Sequence, residues 1–254
     1  MLSRRARQFV KLLRLLPNPL FRHGLRSGVG AAIEHRNVIA GMRLATIVDV
    51  GANVGQFSLL ARALHPAARI YAFEPLPDAA ARYRQVFAAD ADVTLFQAAI
   101  SPEAGTATMH VSASADSSSL LPISARQSEL FPGTEEVGVT DVEAGPLSSF
   151  VSRADLVAPA LLKIDVQGFE LEVLRGARDL LAAFAHVYVE ASFEALYEGQ
   201  ALADDVIALM VDAGFSEVGR HNVSVGPDGA PIQADFLFRR NAGPNAQPNA
   251  SSHA

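Results

Sequence analysis

Residues 46–75, TIVDVGANVGQFSLLARALHPAARIYAFEP, decide how the rest of the chain is read. Within 47–50, Ile47, Val48 and Val50 are apolar and β-branched with no polar alternation, the pattern of a parallel strand buried on both faces. Gly51, Asn53 and Gly55 make a tight turn. Over 56–64 the residues Phe57, Leu60, Ala61 and Leu64 take up helical spacing, and 70–73 reads as a second strand ending in Glu74. Strand, helix and strand make a βαβ unit. Ligands of such sheets sit beyond the carboxyl ends of the strands, where Asp49, the glycine turn and Glu74 fall.

The turn departs from the dinucleotide fingerprint G-x-G-x-x-G, whose backbone amides and helix N-terminus receive a pyrophosphate. Its glycines are Gly51 and Gly55, with Asn53 between them, and Gln56 occupies the place of the third fingerprint glycine. Asp49 puts a carboxylate before the turn, unfavourable for phosphate and favourable for a cationic group. Glu74, about twenty residues beyond the turn, stands where a carboxylate usually holds a ribose diol. A ligand with a ribose, no phosphate and a positive centre satisfies these terms. S-adenosylmethionine is such a ligand, with Asp49, Gly51, Asn53, Gly55 and Glu74 as its expected contacts.

Five motifs follow one another in the chain: VDVGANVGQFS, AFEPLP, LLKIDVQGFELEVLRGA, VEASFEALYEGQ and QADFLFRR. In this order they resemble the FkbM family of S-adenosylmethionine-dependent methyltransferases, over about residues 20–240. The resemblance implies a class I methyltransferase (Rossmann-like) α/β fold: a seven-stranded, mostly parallel sheet, a C-terminal antiparallel hairpin and helices on both faces. It also implies O-methylation of a hydroxyl, often on a sugar, glycolipid or natural product. In that fold the loop after the third strand packs on the adenine, which places residues 98–101, and Ser101 with them, near the base. Asp235 lies in a family element and is expected to face the pocket.

Composition sets the outer limits. The chain has 254 residues, half of them hydrophobic, enough for one α/β domain with a substantial core. There are no cysteines, so disulfides, zinc–thiolate sites and thiol nucleophiles are excluded. No run of about 18 apolar residues occurs, the length a membrane span needs. Residues 1–26 carry seven Lys or Arg and no acid, leaving 14 basic against 27 acidic residues beyond them. An acidic main body argues against nucleic acid as the acceptor, because phosphates need a basic footprint.

Three regions are expected: a helical extension over 1–42, the methyltransferase domain over 43–240, and a low-complexity, disordered tail over 241–254. Residues 1–16 read as an amphipathic helix, with Phe9, Leu12, Leu13 and Leu16 opposite Arg4, Arg7, Lys11 and Arg14. Such a helix docks on the domain or a partner subunit, or touches an anionic membrane surface. It lacks the cleavage site of a secretory signal, and a cytoplasmic protein, with membrane association through this helix as the alternative to free solution, is expected. Glu34 and His35 are adjacent, and neighbours on a helix do not face each other, so a structural or subunit-contact role is expected for them.

Beyond Glu74 the pattern predicts a helix over 78–88 with Asp78 as N-cap, and a third strand over 93–100. Residues 105–145 add one strand and then read as a long acceptor-side loop, in which Ser117 and Ser118 offer hydroxyls to a polar substrate. A short helix over 147–157 leads to the fourth strand, 161–166, with Asp165 at its carboxyl end, and Gly168 turns the chain into a helix over 169–181. Lys163 lies two residues before Asp165 on the same strand face, placed to neutralise it or to orient a substrate. The fifth strand, 187–190, ends in Glu190, and a helix over 206–213 with Ile207, Met210 and Val211 inward precedes a hairpin over 215–239.

Four carboxylates thus stand at strand ends: Asp49, Glu74, Asp165 and Glu190. Like charges so placed must meet cationic groups, hydroxyls or a metal. A hydroxyl acceptor must lose its proton, and Asp165 is the first candidate base, Glu190 the second. A carboxylate cluster suits Mg²⁺, but no Asp-Asn pair of the metal-dependent O-methyltransferases stands out, so no metal ligand is assigned. Two rival readings remain: a nicotinamide-dependent oxidoreductase, and a non-catalytic binding module at a membrane surface.

Overall fold

The computed structural model describes residues 13–242. A seven-stranded sheet forms the centre, in the order β3-β2-β1-β7-β8-β10-β9. Its strands are β1 (Thr46–Val50), β2 (Arg69–Phe73), β3 (Val93–Phe96), β7 (Ala160–Ile164), β8 (His186–Ser192), β9 (Phe215–Val225) and β10 (Pro231–Arg240). The first five are parallel; β10 runs antiparallel to both β8 and β9. This is the expected class I methyltransferase architecture.

Every residue of β1 and β7 is buried, as the missing polar alternation demands. Alternate side chains serve two cores. Val48, Val50, Leu162 and Phe236 pack with Val173 and Leu174 of α6 (Glu170–Gly176), Leu180 of α7 (Arg178–Leu181) and Met210 of α8 (Ala203–Asp212). Ile47, Ile70, Leu161 and Tyr188 face the other way. They meet Phe21 of α1 (Pro19–Arg26), Ile39 of α2 (Arg36–Ile39), Leu59 and Leu60 of α3 (Gln56–Leu64) and Tyr83 of α4 (Pro77–Val86). The N-terminal segment is therefore part of this second core. Asn18 caps α1, its Oδ1 accepting from the Leu20 N–H at 2.8 Å.

Several expectations need correcting. The third strand stops at Phe96; Ala99–Ile100 (β4) leaves the main sheet and pairs with β6 (Glu136–Gly145), which also pairs antiparallel with β5 (Gly105–Ser112). Residues 105–145 therefore hold a three-stranded sheet and the short helix α5 (Ala125–Leu130) where the sequence suggested a long loop. The hydrophobic pattern misleads here because Val137 and Val139 lie on the open face of β6, 65% and 58% exposed, while Val142 and Ala144 make the buried contacts. The helix expected over 147–157 is two separate 3₁₀ turns. Asp78 lies in the first turn of α4 and Leu76 takes the cap position. In α8 Ala203, Val206 and Met210 are buried and Ile207 packs half-buried against the same core, as expected for Met210 and Ile207, but Val211 faces solvent. Of the expected tail, Asn241 is tied down, its N–H donating to the Gly214 carbonyl at 3.0 Å. Residues 1–12 and 243–254, which include most of the amphipathic helix and of the tail, lie outside the described residues.

The chain leaving β7 is shaped by Glu170. Its buried carboxylate accepts the backbone N–H of Gly168 at 2.9 Å and that of Val166 at 3.3 Å, holding the loop that carries Asp165 and Gln167. Burial pushes the Glu170 carboxyl up to about 7. The folded state then keeps a proton that the unfolded chain releases near its ordinary value of 4.5, so stability falls as pH rises from there to about 7. Thermal unfolding across this range should show that decline, and Glu170→Gln should flatten part of it; an unchanged slope would contradict the assignment.

Candidate active site

The strand order reverses between β1 and β7, the switch point at which open α/β sheets take ligands. A cavity of about 390 Å³ opens there. Gly51, Asn53, Glu74, Lys163, Asp165 and Gln167 line it from the main sheet, Met109, Ser118 and Leu120 from the 105–145 region, and Glu34 and His35 from the N-terminal segment.

Gly51 is required by a close approach. It has φ +76°, and a Cβ there would lie 1.8 Å from the Asp165 carbonyl oxygen, so only glycine lets the turn pass the chain leaving β7. The amides of the turn are used internally. Gly51 and Ala52 N–H donate to the Phe73 carbonyl at 3.1 and 2.9 Å, Asn53 N–H to Glu74 Oε2 at 2.9 Å, and Gly55 N–H to the Ala52 carbonyl at 2.8 Å. A diphosphate would find none of these four donors available, and it would meet the carboxylates of Glu74 and Asp165. Gly55 does not border the cavity; its φ of +97° starts α3 close against Tyr83 and Phe87.

Glu74 stands at the end of β2 with Oε1 accepting from Leu76 N–H at 2.8 Å, besides the Asn53 contact. Burial pushes its carboxyl up to about 7, against the opposing effect of these two amides. Asp49, by contrast, is wholly buried and does not border the cavity. In place of the ligand's cationic group that was expected, Asp49 meets Lys163, whose Nζ lies 3.0 Å from Oδ1, while Oδ2 accepts from the Ser58 hydroxyl at 2.7 Å. Lys163 also donates to the carbonyl of Gly51 at 3.0 Å and stands 3.8 Å from Asp165. Burial opposes its charge, but Asp49 and then Asp165 outweigh it and hold the ammonium above its ordinary value.

Asp165 and Glu190 are brought together by a residue the sequence reading passed over. Gln167, in the left-handed region at φ +59°, donates from Nε2 to Asp165 Oδ1 at 2.7 Å and to Glu190 Oε2 at 3.0 Å, and its Oε1 accepts from Tyr197 at 3.2 Å. β8 runs on past Glu190 to Ser192, and Glu190 does not border the cavity; its other oxygen accepts from Gln233 at 2.8 Å. Burial, then the charge of Asp165, push its carboxyl well above the usual range.

Asp235 also lies behind the cavity wall, contrary to expectation. Its Oδ2 accepts from Asn222 at 2.7 Å and Tyr188 at 2.8 Å, with His35 Nδ1 3.4 Å away. Burial would raise this carboxyl, but the contacts with His35, Asn222 and Tyr188 prevail and lower it. Ser101 is turned away, its hydroxyl donating to the Glu103 carbonyl at 2.7 Å, although its neighbours Ala98, Ala99 and Ile100 do border the cavity. Ser118 borders it and Ser117 does not. Neither Gln167 nor His35 announces itself in the sequence: one precedes a turn glycine, the other sits in a short segment without clear periodicity. Among the described residues no group of three or more His, Asp or Glu is arranged to hold a metal ion.

The profile described as the methyltransferase FkbM domain matches residues 49–217. The chain belongs to the FkbM methyltransferase family. Relatives in this family include the 2-O-methyltransferase NoeI of Sinorhizobium fredii, 30% identical over 71% of this chain and 77% of that protein. The 31-O-demethyl-FK506 methyltransferase FkbM of Streptomyces tacrolimicus is also 30% identical, over 69% of this chain and 74% of its own. Among solved structures, a putative O-methyltransferase from Klebsiella pneumoniae superposes with a TM-score of 0.48 at 15% identity, over 92% of this chain and 96% of that one.

The protein is thus an S-adenosylmethionine-dependent methyltransferase, and its cavity fits that donor. The buried Glu74 carboxylate borders the cavity, and the turn's amides are closed to phosphate. If Glu74 receives the ribose hydroxyls, its ionised form binds best. With the free carboxyl at about 7, S-adenosylhomocysteine should bind up to about tenfold tighter at pH 8 than at pH 6. Calorimetry on Glu74→Gln should show weaker binding without this pH dependence; unaltered affinity would refute the ribose assignment.

Proposed function

We propose that the enzyme transfers the donor methyl to a hydroxyl of a sugar, glycolipid or natural-product acceptor. The observation that carries this reading is the pairing within one cavity of the donor-side carboxylate Glu74 with Asp165, whose side chain is 37% exposed. The names of two relatives describe transfer to oxygen, which supports the same reaction type.

The donor, when bound, supplies a methyl already activated on a sulfonium, so the protein's part is alignment and management of one proton. Gly51, Asn53 and Glu74 are assigned to the donor, and Asp165 to aligning the acceptor's polar groups. Gln167 fixes the Asp165 carboxylate, and Glu190 backs that amide from behind. Ser118, Met109 and Leu120 offer a mixed polar and apolar surface to the acceptor. The dinucleotide alternative loses support because the amides a diphosphate needs are already bonded.

Incubation with methyl-tritiated donor and a panel of methyl glycosides, followed by mass spectrometry of labelled products, tests the acceptor class. Methyl gain on nitrogen or carbon alone would overturn it. Asp165→Asn should lower turnover by about tenfold or more while S-adenosylhomocysteine affinity stays within about threefold. Equal loss of both would leave Asp165 as a donor-binding residue only.

A further inference from the structure

The cavity has a titratable border at a residue whose sequence context suggests only a structural or subunit-contact role. His35 closes the 3₁₀ turn Ile33–His35 and borders the same space as Glu74 and Asp165. Its ring meets Phe57 and Tyr188 edge-on, each with centroids 5.6 Å away, which sets its plane.

Hydrogen-bond bookkeeping assigns its tautomer. Nδ1 lies 2.9 Å from the Tyr188 hydroxyl oxygen. That hydroxyl has one hydrogen, and it is donated to Asp235 Oδ2 at 2.8 Å, so toward His35 the oxygen must accept. The Asp235 carboxylate, 3.4 Å from Nδ1, also favours a proton there. Asn222 Nδ2 donates to Asp235 at 2.7 Å and lies 3.2 Å from His35 Nδ1 and 3.4 Å from the Tyr188 oxygen; its second hydrogen goes to that oxygen, because a lone pair on Nδ1 would face a Tyr188 oxygen with no hydrogen left to give it. The neutral ring is then Nδ1–H, and the lone pair sits on Nε2. Among the described residues, the hydrogen-bond contacts of His35 use Nδ1 and none uses Nε2. The charged and titratable groups around it are Asp235 on β10, Tyr188 on β8, His221 on β9, whose ring is 6.4 Å from that of Tyr188, and Glu34 beside it on the same turn. Lys163 on β7 lies beyond the shared Phe57 ring, its Nζ 5.6 Å from that centroid.

We propose that His35 is a catalytic residue whose Nε2 takes the proton of the acceptor hydroxyl, with Tyr188 and Asp235 as positioning residues. The inference rests on the O-methylation reading. The hydroxyl oxygen gains a bond to the methyl carbon, and the methyl–sulfur bond breaks with its electron pair remaining on sulfur. The O–H proton passes to Nε2, and the imidazolium, stabilised by the Asp235 charge, later releases it to solvent. Glu190 stands away from the cavity and one oxygen of Asp165 is held by Gln167, so His35 supplies the accessible lone pair whose other ring nitrogen is already tied to a buried anion.

Nitrogen-15 NMR of histidine-labelled full-length protein should show His35 as the Nδ1–H tautomer when neutral; the Nε2–H form would overturn the proposal. With a methyl glycoside that the wild type labels, His35→Ala should lose about a hundredfold or more in kcat, with S-adenosylhomocysteine affinity within about threefold and partial rescue by imidazole. Asp235→Asn, which leaves Nδ1 without its buried anion, should lower kcat by about tenfold while the acceptor KM and S-adenosylhomocysteine affinity stay within about threefold. A kcat within about threefold of wild type, or loss of S-adenosylhomocysteine binding in both His35→Ala and His35→Asn, would overturn the proposal. A wild type that labels no hydroxyl would instead remove the O-methylation reading, and this proposal with it.

Discussion

One buried ion pair holds the site together. Asp49 and Lys163 are register partners on the adjacent parallel strands β1 and β7; Asp49 is wholly buried and Lys163 nearly so, at the cavity wall. Two isolated charges in such a place would be untenable; together, with Ser58 on one carboxylate oxygen and the Gly51 carbonyl on the ammonium, they are satisfied. Removing either partner of a buried pair costs about 3–5 kcal/mol, because the survivor is left uncompensated. Here it would also release the glycine turn from β7 at the point where the cavity opens. The pair therefore couples fold stability to the geometry of the donor site.

The other strand-end carboxylates are managed by different means, and the differences define their roles. Glu74 is buried under two backbone amides and titrates near neutrality, which suits a hydrogen-bond acceptor that engages a neutral diol. Asp165 keeps access to the cavity and is restrained by Gln167, while Glu190 is sunk behind the same amide with its carboxyl pushed toward the protonated form. Asp235 goes the other way, gathering donors from Asn222, Tyr188 and His35 until its charge is favoured despite burial. One sheet edge thus carries carboxyl groups of unlike acidity within a short distance, an arrangement suited to separate donor binding from proton handling.

The sequence is legible where local and global signals agree. The βαβ unit over 46–75 reads correctly almost to the residue, because continuous burial leaves a strong pattern and the turn glycines have no substitute. Region 105–145 reads poorly because β6 shows valines to solvent and its buried face is made of Val142 and Ala144. Residue type alone placed Asp49 and Asp235 at the pocket, yet both are turned into internal contacts that only the tertiary arrangement reveals. Gln167 and Asn222 leave no mark in the sequence for the opposite reason, and His35, which reads there as structural, borders the cavity. Their weight comes from partners far along the chain, and no local pattern records such pairings.

All of this depends on a cavity shaped for a nucleoside with a ribose, a positive centre and no phosphate. The most direct measurement is a crystal structure of the full chain with S-adenosylhomocysteine. The account requires both ribose hydroxyls on the Glu74 carboxylate, with the amino-acid end running toward Gly51 and Asp165. A ribose held elsewhere with Glu74 turned away, or a dinucleotide whose diphosphate displaces that ligand and settles on the turn from Gly51 to Gly55, would contradict it.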